Sequence, residues 1–124
     1  MNARFSQIAE SIENAERILV ASHIRPDGDA LGSTLAMALW IQELGKTVTA
    51  WNEHGVTQRY SYLPRHELIS VPDSAPRPFD VVVALDNSVR SRLGGVLDGV
   101  ASMGTLINID HHITNDRYGD LAFI

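Results

Sequence analysis

The residues best equipped for chemistry fall in three short segments: His23-Ile-Arg-Pro-Asp27-Gly-Asp29, the single Asp86, and Asp110-His111-His112. Each follows an apolar run, so three stretches distant in sequence would deliver four aspartates and three histidines to one place. Carboxylates gathered this way repel, at roughly 4 kcal/mol for a pair about 4 Å apart with an effective dielectric near 20. No lysine lies in these segments, and Arg25 is the only arginine near them in sequence, so divalent cations are the economical offset. Cysteine is absent, which leaves oxygen and imidazole as ligands. That set suits Mn²⁺ first, with Mg²⁺ and other first-row ions as alternatives and zinc behind them. Two such ions roughly 3.5 to 4 Å apart, bridged by a carboxylate, would activate a water for in-line attack at phosphorus, which makes phosphoester hydrolysis the implied reaction.

Taken singly, each segment has an ordinary structural reading. His23 would be a satisfied histidine after a strand, Pro26-Asp27-Gly28 a plain turn, and Asp86-Asn87-Ser88 the cap of a helix. Coincidence at three strand ends is what gives the set its weight.

The elements that must position these residues follow from periodicity. Phe5, Ile8, Ala9, Ile12 and Ala15 recur at helical spacing and predict an amphipathic helix over 5–15. Ile18-Leu19-Val20-Ala21 is a short unbroken apolar run, as in a strand covered on both faces. A second helix runs from Asp29 or Ala30 to Leu44, apolar nearly all round and therefore expected to be buried on more than one face. A face of it left bare would favour association with a second copy. Gly32 and Ser33 are placed at its opening, where free N–H groups favour a phosphate.

A strand over 46–51, an irregular stretch over 52–64 and a short edge strand over 68–71 come next. Pro72, Pro76 and Pro78 exclude regular structure up to Phe79. Strands over 81–85 and 105–109 flank a short helix around 96–101. Helices alternating with apolar strands argue an open, mostly parallel, doubly wound α/β sheet of Rossmann-like kind, with helices on both faces. In such sheets ligands bind where the strands' carboxyl ends meet, which is where the three polar segments fall.

His54 and His66 sit in irregular polar stretches and are read as solvated. The aromatic run from Tyr60 to Leu63 is read as packing and not as a base-stacking platform, and Arg90 and Arg92 as a solvated surface.

At 124 residues the chain is about one domain. A net charge of −5 advertises no general polyanion surface, so long duplex nucleic acid is not an expected partner. No stretch approaches a membrane span, and the start lacks the apolar heart of a signal peptide, so a cytoplasmic protein without a membrane partner is expected.

With these residues in hand the sequence resembles the DHH phosphoesterase superfamily, whose eponymous motif appears here as Asp110-His111-His112. The first motif reads His23-Ile-Arg-Pro-Asp27-Gly-Asp29-Ala-Leu-Gly32-Ser33, the second is Asp86, and the third runs from Asn108 to Asn115. The resemblance implies that His23, Asp27 and Asp86 hold one Mn²⁺ and Asp29, Asp86 and His111 the other, with Asp86 as the bridge. It further implies that His112 contacts the substrate phosphate and that Asp110 orients its neighbours.

Among the branches, the first motif and the helix before it are most similar to the oligoribonuclease and pAp phosphatase type, which implies short RNA or pAp as substrate. Family II pyrophosphatases, exopolyphosphatase-like enzymes and cyclic-dinucleotide phosphodiesterases are the nearest rivals. Members add a fourth carboxylate ligand and a substrate domain after the third motif; only 113–124 follow here, and Asp116 and Asp120 lie too close to match that ligand. The expectation is therefore the amino-terminal, metal-binding part of a longer protein, inactive or weak by itself. A module that holds nucleotide or metal without turnover, and a metal-free nucleotide-binding domain indifferent to chelators, are the alternatives.

Overall fold

The structure, a computed structural model, describes residues 2–124. Helix α1 (Phe5–Glu13) leads into strand β1 (Arg17–Ser22), and helix α2 (Gly28–Glu43) into β2 (Thr47–Trp51). Two short 3₁₀ turns precede β3 (Ile69–Ser70), which is followed by β4 (Arg77–Leu85). A 3₁₀ segment (Arg90–Gly99), β5 (Val100–Ile109) and β6 (Leu121–Phe123) complete the order. The six strands form one all-parallel sheet in the order β3-β2-β1-β4-β5-β6. This is the open α/β, Rossmann-like architecture, with its reversal of strand order between β1 and β4.

Alternation along the central strands divides the core in two. Ile18 and Val20 of β1 with Val81, Val83 and Leu85 of β4 face α1 and α2, burying Ile8, Ile12 and Ile41. Leu19, Ala21, Val82 and Ala84 face the other way, against Leu93 and Val96 of the 3₁₀ segment. Both faces of β1 and β4 are thus dry, which is why these strands read as unbroken apolar runs. Ends meet at the sheet's edge: the Asn2 side-chain amide donates to the Ile124 carbonyl (3.0 Å) and accepts from its N–H (3.1 Å), beside Ala3 N–H donating to Ala122 (2.8 Å).

Several expectations are corrected. Helix α2 begins at Gly28 because Asp27 caps it, its carboxylate accepting from the Ala30 N–H at 2.9 Å. It buries one broad face (Ala30, Leu31, Thr34, Leu35, Ala38, Ile41), not more than one, and leaves Trp40 and Leu44 exposed. The short helix expected around 96–101 is instead the end of a 3₁₀ segment that stops at Gly99, with residues 100 and 101 already in β5. Gly94, at φ +66, kinks that segment; a Cβ there would fall 2.2 Å from the Glu53 carboxylate. Strand β4 starts earlier than Pro72, Pro76 and Pro78 suggested: Pro78 pairs with Ser102, tolerated because the register shifts between Arg77 and Pro78. Strand β6 carries no periodic signal at three residues and was not expected.

Among the described residues no helix is long and apolar enough to cross a membrane.

Candidate metal centre

The strand order puts the ends of β1, β4 and β5 side by side, and each end supplies polar residues. His23 follows β1. Its Nδ1 lies 2.6 Å from the Ile24 carbonyl, so Nδ1 carries a proton and Nε2 is the nitrogen left to face the carboxylates. That Nε2 faces Asp86 Oδ2 at 3.4 Å and Asp27 Oδ1 at 3.9 Å. Asn52, buried after β2, fixes the segment by donating to the His23 carbonyl at 2.8 Å.

Asp86 follows β4 in the left-handed region at φ +53, a conformation that aspartate tolerates better than most residues. Its N–H donates to Ile109 at 3.1 Å, locking the ends of β4 and β5 together. The side chain is buried and its two oxygens diverge in function. Oδ2 faces His23, while Oδ1 lies 2.9 Å from His111 Nε2 and 3.8 Å from His112 Nδ1. Burial pushes the Asp86 carboxyl up, with Asp29 and Asp27 adding to the shift and the His111 hydrogen bond and His23 opposing it. His111 is pushed up in turn by its hydrogen bond to Asp86.

Asp29, on the first turn of α2, reaches His111 Nε2 at 3.1 Å. Ser33 donates its hydroxyl to Asp29 Oδ1 at 3.2 Å. Because the helix opens at Gly28, Gly32 and Ser33 lie in its second turn, where the N–H groups bond within the helix. The expected phosphate cradle of free N–H groups at these two positions is therefore not formed, and Ser33 holds a carboxylate instead.

Asp110 commits both oxygens to protein donors: Oδ1 to His112 Nδ1 at 2.6 Å and Oδ2 to Asn115 Nδ2 at 2.8 Å. Burial raises its carboxyl, but Asn115, the His111 N–H and His112 outweigh it and bring it below the usual range. Asn115 also bonds reciprocally with Asn108, and its amide reaches the Asn87 carbonyl. The buried Tyr118 hydroxyl, its pKa pushed up to about 12 mainly by burial, braces Asn87.

Two sets of donor atoms, each within 4.8 Å of one another, result: His23, Asp27 and Asp86, and Asp86, Asp110, His111 and His112. Asp86 belongs to both. Separations near 3 Å are those between neighbouring vertices of an octahedron with metal–oxygen bonds of about 2.1 Å. Among the described residues, the ion pairs of Asp27, Asp29 and Asp86 are all with imidazoles and none with lysine or arginine. A crowd of carboxylates without a fixed cation, beside a His23 imidazole whose Nδ1 is already held by the Ile24 carbonyl, fits divalent metal. All the residues expected to act from the three motifs except Ser33 converge here, and Ser33 reaches the site through Asp29. Asn52, Asn87 and Tyr118 were not foreseen, since their types carry no signal outside the fold. Arg92, read as solvated surface, is exposed and also lines a cleft of about 290 Å³ with His23, Asp27, Asp86 and His112.

Residues 17–123 match the family model described as DHH family, N-terminal domain. The chain belongs to the DHH family. It is 38% identical over 118 residues to the bifunctional oligoribonuclease and PAP phosphatase NrnA of Thermus thermophilus, covering 94% of this chain and 35% of that protein. It is 32% identical over 127 residues to a probable bifunctional oligoribonuclease and PAP phosphatase NrnA of Streptococcus mutans, covering 97% and 37%. The DHH chain thus spans little more than a third of the length of these relatives. An exopolyphosphatase-related protein from Bacteroides fragilis shares the fold, with a TM-score of 0.81 at 24% identity over 95% of this chain and 37% of that one.

Proposed function

We propose that this chain is the metal-binding domain of a phosphoesterase that cleaves short oligoribonucleotides, pAp or both, using two Mn²⁺ ions. The carrying observation is Asp86, whose two oxygens face two separate donor sets across the β1/β4 reversal. His23, Asp27 and Asp86 would hold one ion; Asp29, Asp86 and His111 the other. Bound there, the ions would lower the pKa of a water and neutralise charge developing on the phosphoryl oxygens. Asp110 holds the His112 imidazole by Nδ1 at 2.6 Å, leaving Nε2 to donate to or accept from the substrate phosphate. Ser33 orients Asp29, and Asn115 orients Asp110. The similarity to NrnA proteins supports the substrate class, and a full-length protein with a further substrate domain is part of this reading. The exposed Trp40 and Leu44 of α2 support a second copy as the partner of that face.

The test is thermal melting of the metal-free chain with and without Mn²⁺. Metal at one hundred times its Kd stabilises by about 2.7 kcal/mol, a rise of roughly 8 °C or more for a domain of this size. Asp86→Ala should abolish the rise. No rise in the unaltered chain at millimolar Mn²⁺ would overturn the reading, and tighter binding of pyrophosphate than of pAp would move it to a pyrophosphatase.

A further inference from the structure

Beside the metal centre, beyond Asp27, the surface opens into a groove of about 490 Å³ lined by Arg25, His54, Arg59 and Tyr60. It shares Asp27 with the donor set of His23 and Asp86, so whatever fills it lies next to a bound substrate. The hydrolysis proposed above uses none of its other residues.

The groove gathers positive charge in an acidic chain. Among the described residues, the arginines in ion pairs with carboxylates are Arg65 and Arg77, which leaves Arg25 and Arg59 free of such partners. Arg25 is held in the left-handed region at φ 51, its N–H donating to His54 Nδ1 at 2.8 Å. The Arg59 guanidinium lies over the Tyr60 ring, 5.5 Å from its centroid. The half-buried Tyr60 is tied to the opening of α2, its ring 3.7 Å from where a Cβ on Gly28 would sit. Aromatic and guanidinium planes beside unpaired cations are what single-stranded nucleic acid requires: bases stack on the planes, and phosphates meet the charges. The neighbours Arg59 and Tyr60 thus supply, with Arg25 added by the fold, the basic interleaving that the aromatic run lacks when taken alone.

We propose that this groove is the subsite for the nucleotide adjoining the scissile phosphate of a short single-stranded oligoribonucleotide. Its base stacks on the Tyr60–Arg59 platform, and its flanking phosphate pairs with Arg25 and Arg59. The inference rests on the phosphoester reading of the metal centre. A substrate of two or more nucleotides gains an interaction here that a nucleoside monophosphate lacks.

The experiment is a fluorescence-anisotropy titration of a 3′-labelled triadenylate against the Mn²⁺-loaded chain, with AMP as competitor. Replacing both arginines (Arg25→Gln with Arg59→Gln) should weaken triadenylate binding tenfold or more. It should also lower the slope of log affinity against log salt by about 0.7 for each phosphate that is no longer neutralised. Tyr60→Leu should weaken binding about fivefold with the slope unchanged, and Tyr60→Phe should keep it, because stacking needs the ring and not the hydroxyl. AMP affinity should change less than twofold throughout. The groove is refuted if the variants bind triadenylate within twofold of the parent, if AMP and triadenylate weaken together, or if the parent binds no triadenylate. Melting with Mn²⁺ separates the two readings: a parent that Mn²⁺ does not stabilise sinks the metal centre, whereas equal stabilisation of all chains with unchanged triadenylate affinity sinks only the groove.

Discussion

Strand β4 carries one aspartate near its start and another just past its end, and the molecule treats them in opposite ways. Asp80 is exposed, and its Oδ2 accepts from the N–H groups of Arg17 and Glu16 at 2.9 Å each. These two bonds, Arg17 first, hold its carboxyl below the usual range. Asp86 is buried, in a left-handed backbone, facing Asp27, Asp29 and imidazoles, and its carboxyl is pushed up. The leading end of the strand is completed by the chain's own donors. The trailing end gathers carboxylates whose ion pairs among the described residues are with imidazoles alone. One aspartate therefore ties the fold together, and the other is the one proposed above to bridge two ions.

That contrast can be broken most severely at Asp86. Asp86→Asn should remove the whole Mn²⁺-dependent rise in melting temperature while leaving the metal-free protein as stable as the parent or about 0.5–2 kcal/mol more stable, since it deletes a crowded buried charge. Denaturant unfolding with and without Mn²⁺ measures both halves, and a metal-free protein that is strongly destabilised would contradict the assignment. Next in size is Asn115→Leu, which strips both Asp110 and the buried Asn108 side-chain oxygen of a donor. A loss of about 2–3 kcal/mol in urea unfolding is expected, with Mn²⁺ affinity about 10-fold weaker by calorimetry.

The smallest effect belongs to Asp80. A carboxyl lowered on folding contributes stability that is fully present above its unfolded value, near 3.8, and is lost as the pH falls through the lower folded value. Asp80→Asn should thus be less stable than the parent from pH 7 down to about 5, with the difference closing below 3.8. Urea midpoints measured across that range decide it; a difference that persists undiminished at pH 2 would mean that the side chain acts by packing.

How far the sequence reveals this depends on the range over which each feature is determined. Ile18 to Ala21 and Val81 to Leu85 are legible because burial on both faces leaves no polar residue in the run, and the alternation of helices with such runs implies a parallel sheet. His23, Asp86 and Asp110 to His112 are legible because they interrupt or follow those runs. Asn52 and Tyr118 are not, since each acts on a residue about thirty positions away, His23 for the one and Asn87 for the other. The misplacement of Ser33 traces to one capping bond: Asp27, read as a turn residue, starts the helix and shifts its numbering by one residue or two. The stretch from Arg90 to Gly99 defeats periodicity because Gly94 breaks it in the middle.

The clasp between Asn2 and Ile124 makes the described chain nearly a ring, interrupted at a single point on the sheet's rim. Each strand of that sheet is fixed by its own parallel register with its neighbours, so its place does not depend on the strand that precedes it along the chain. What assembles the candidate metal centre is the lateral sequence of strands across the sheet, and the order in which a ribosome delivers them is incidental to it.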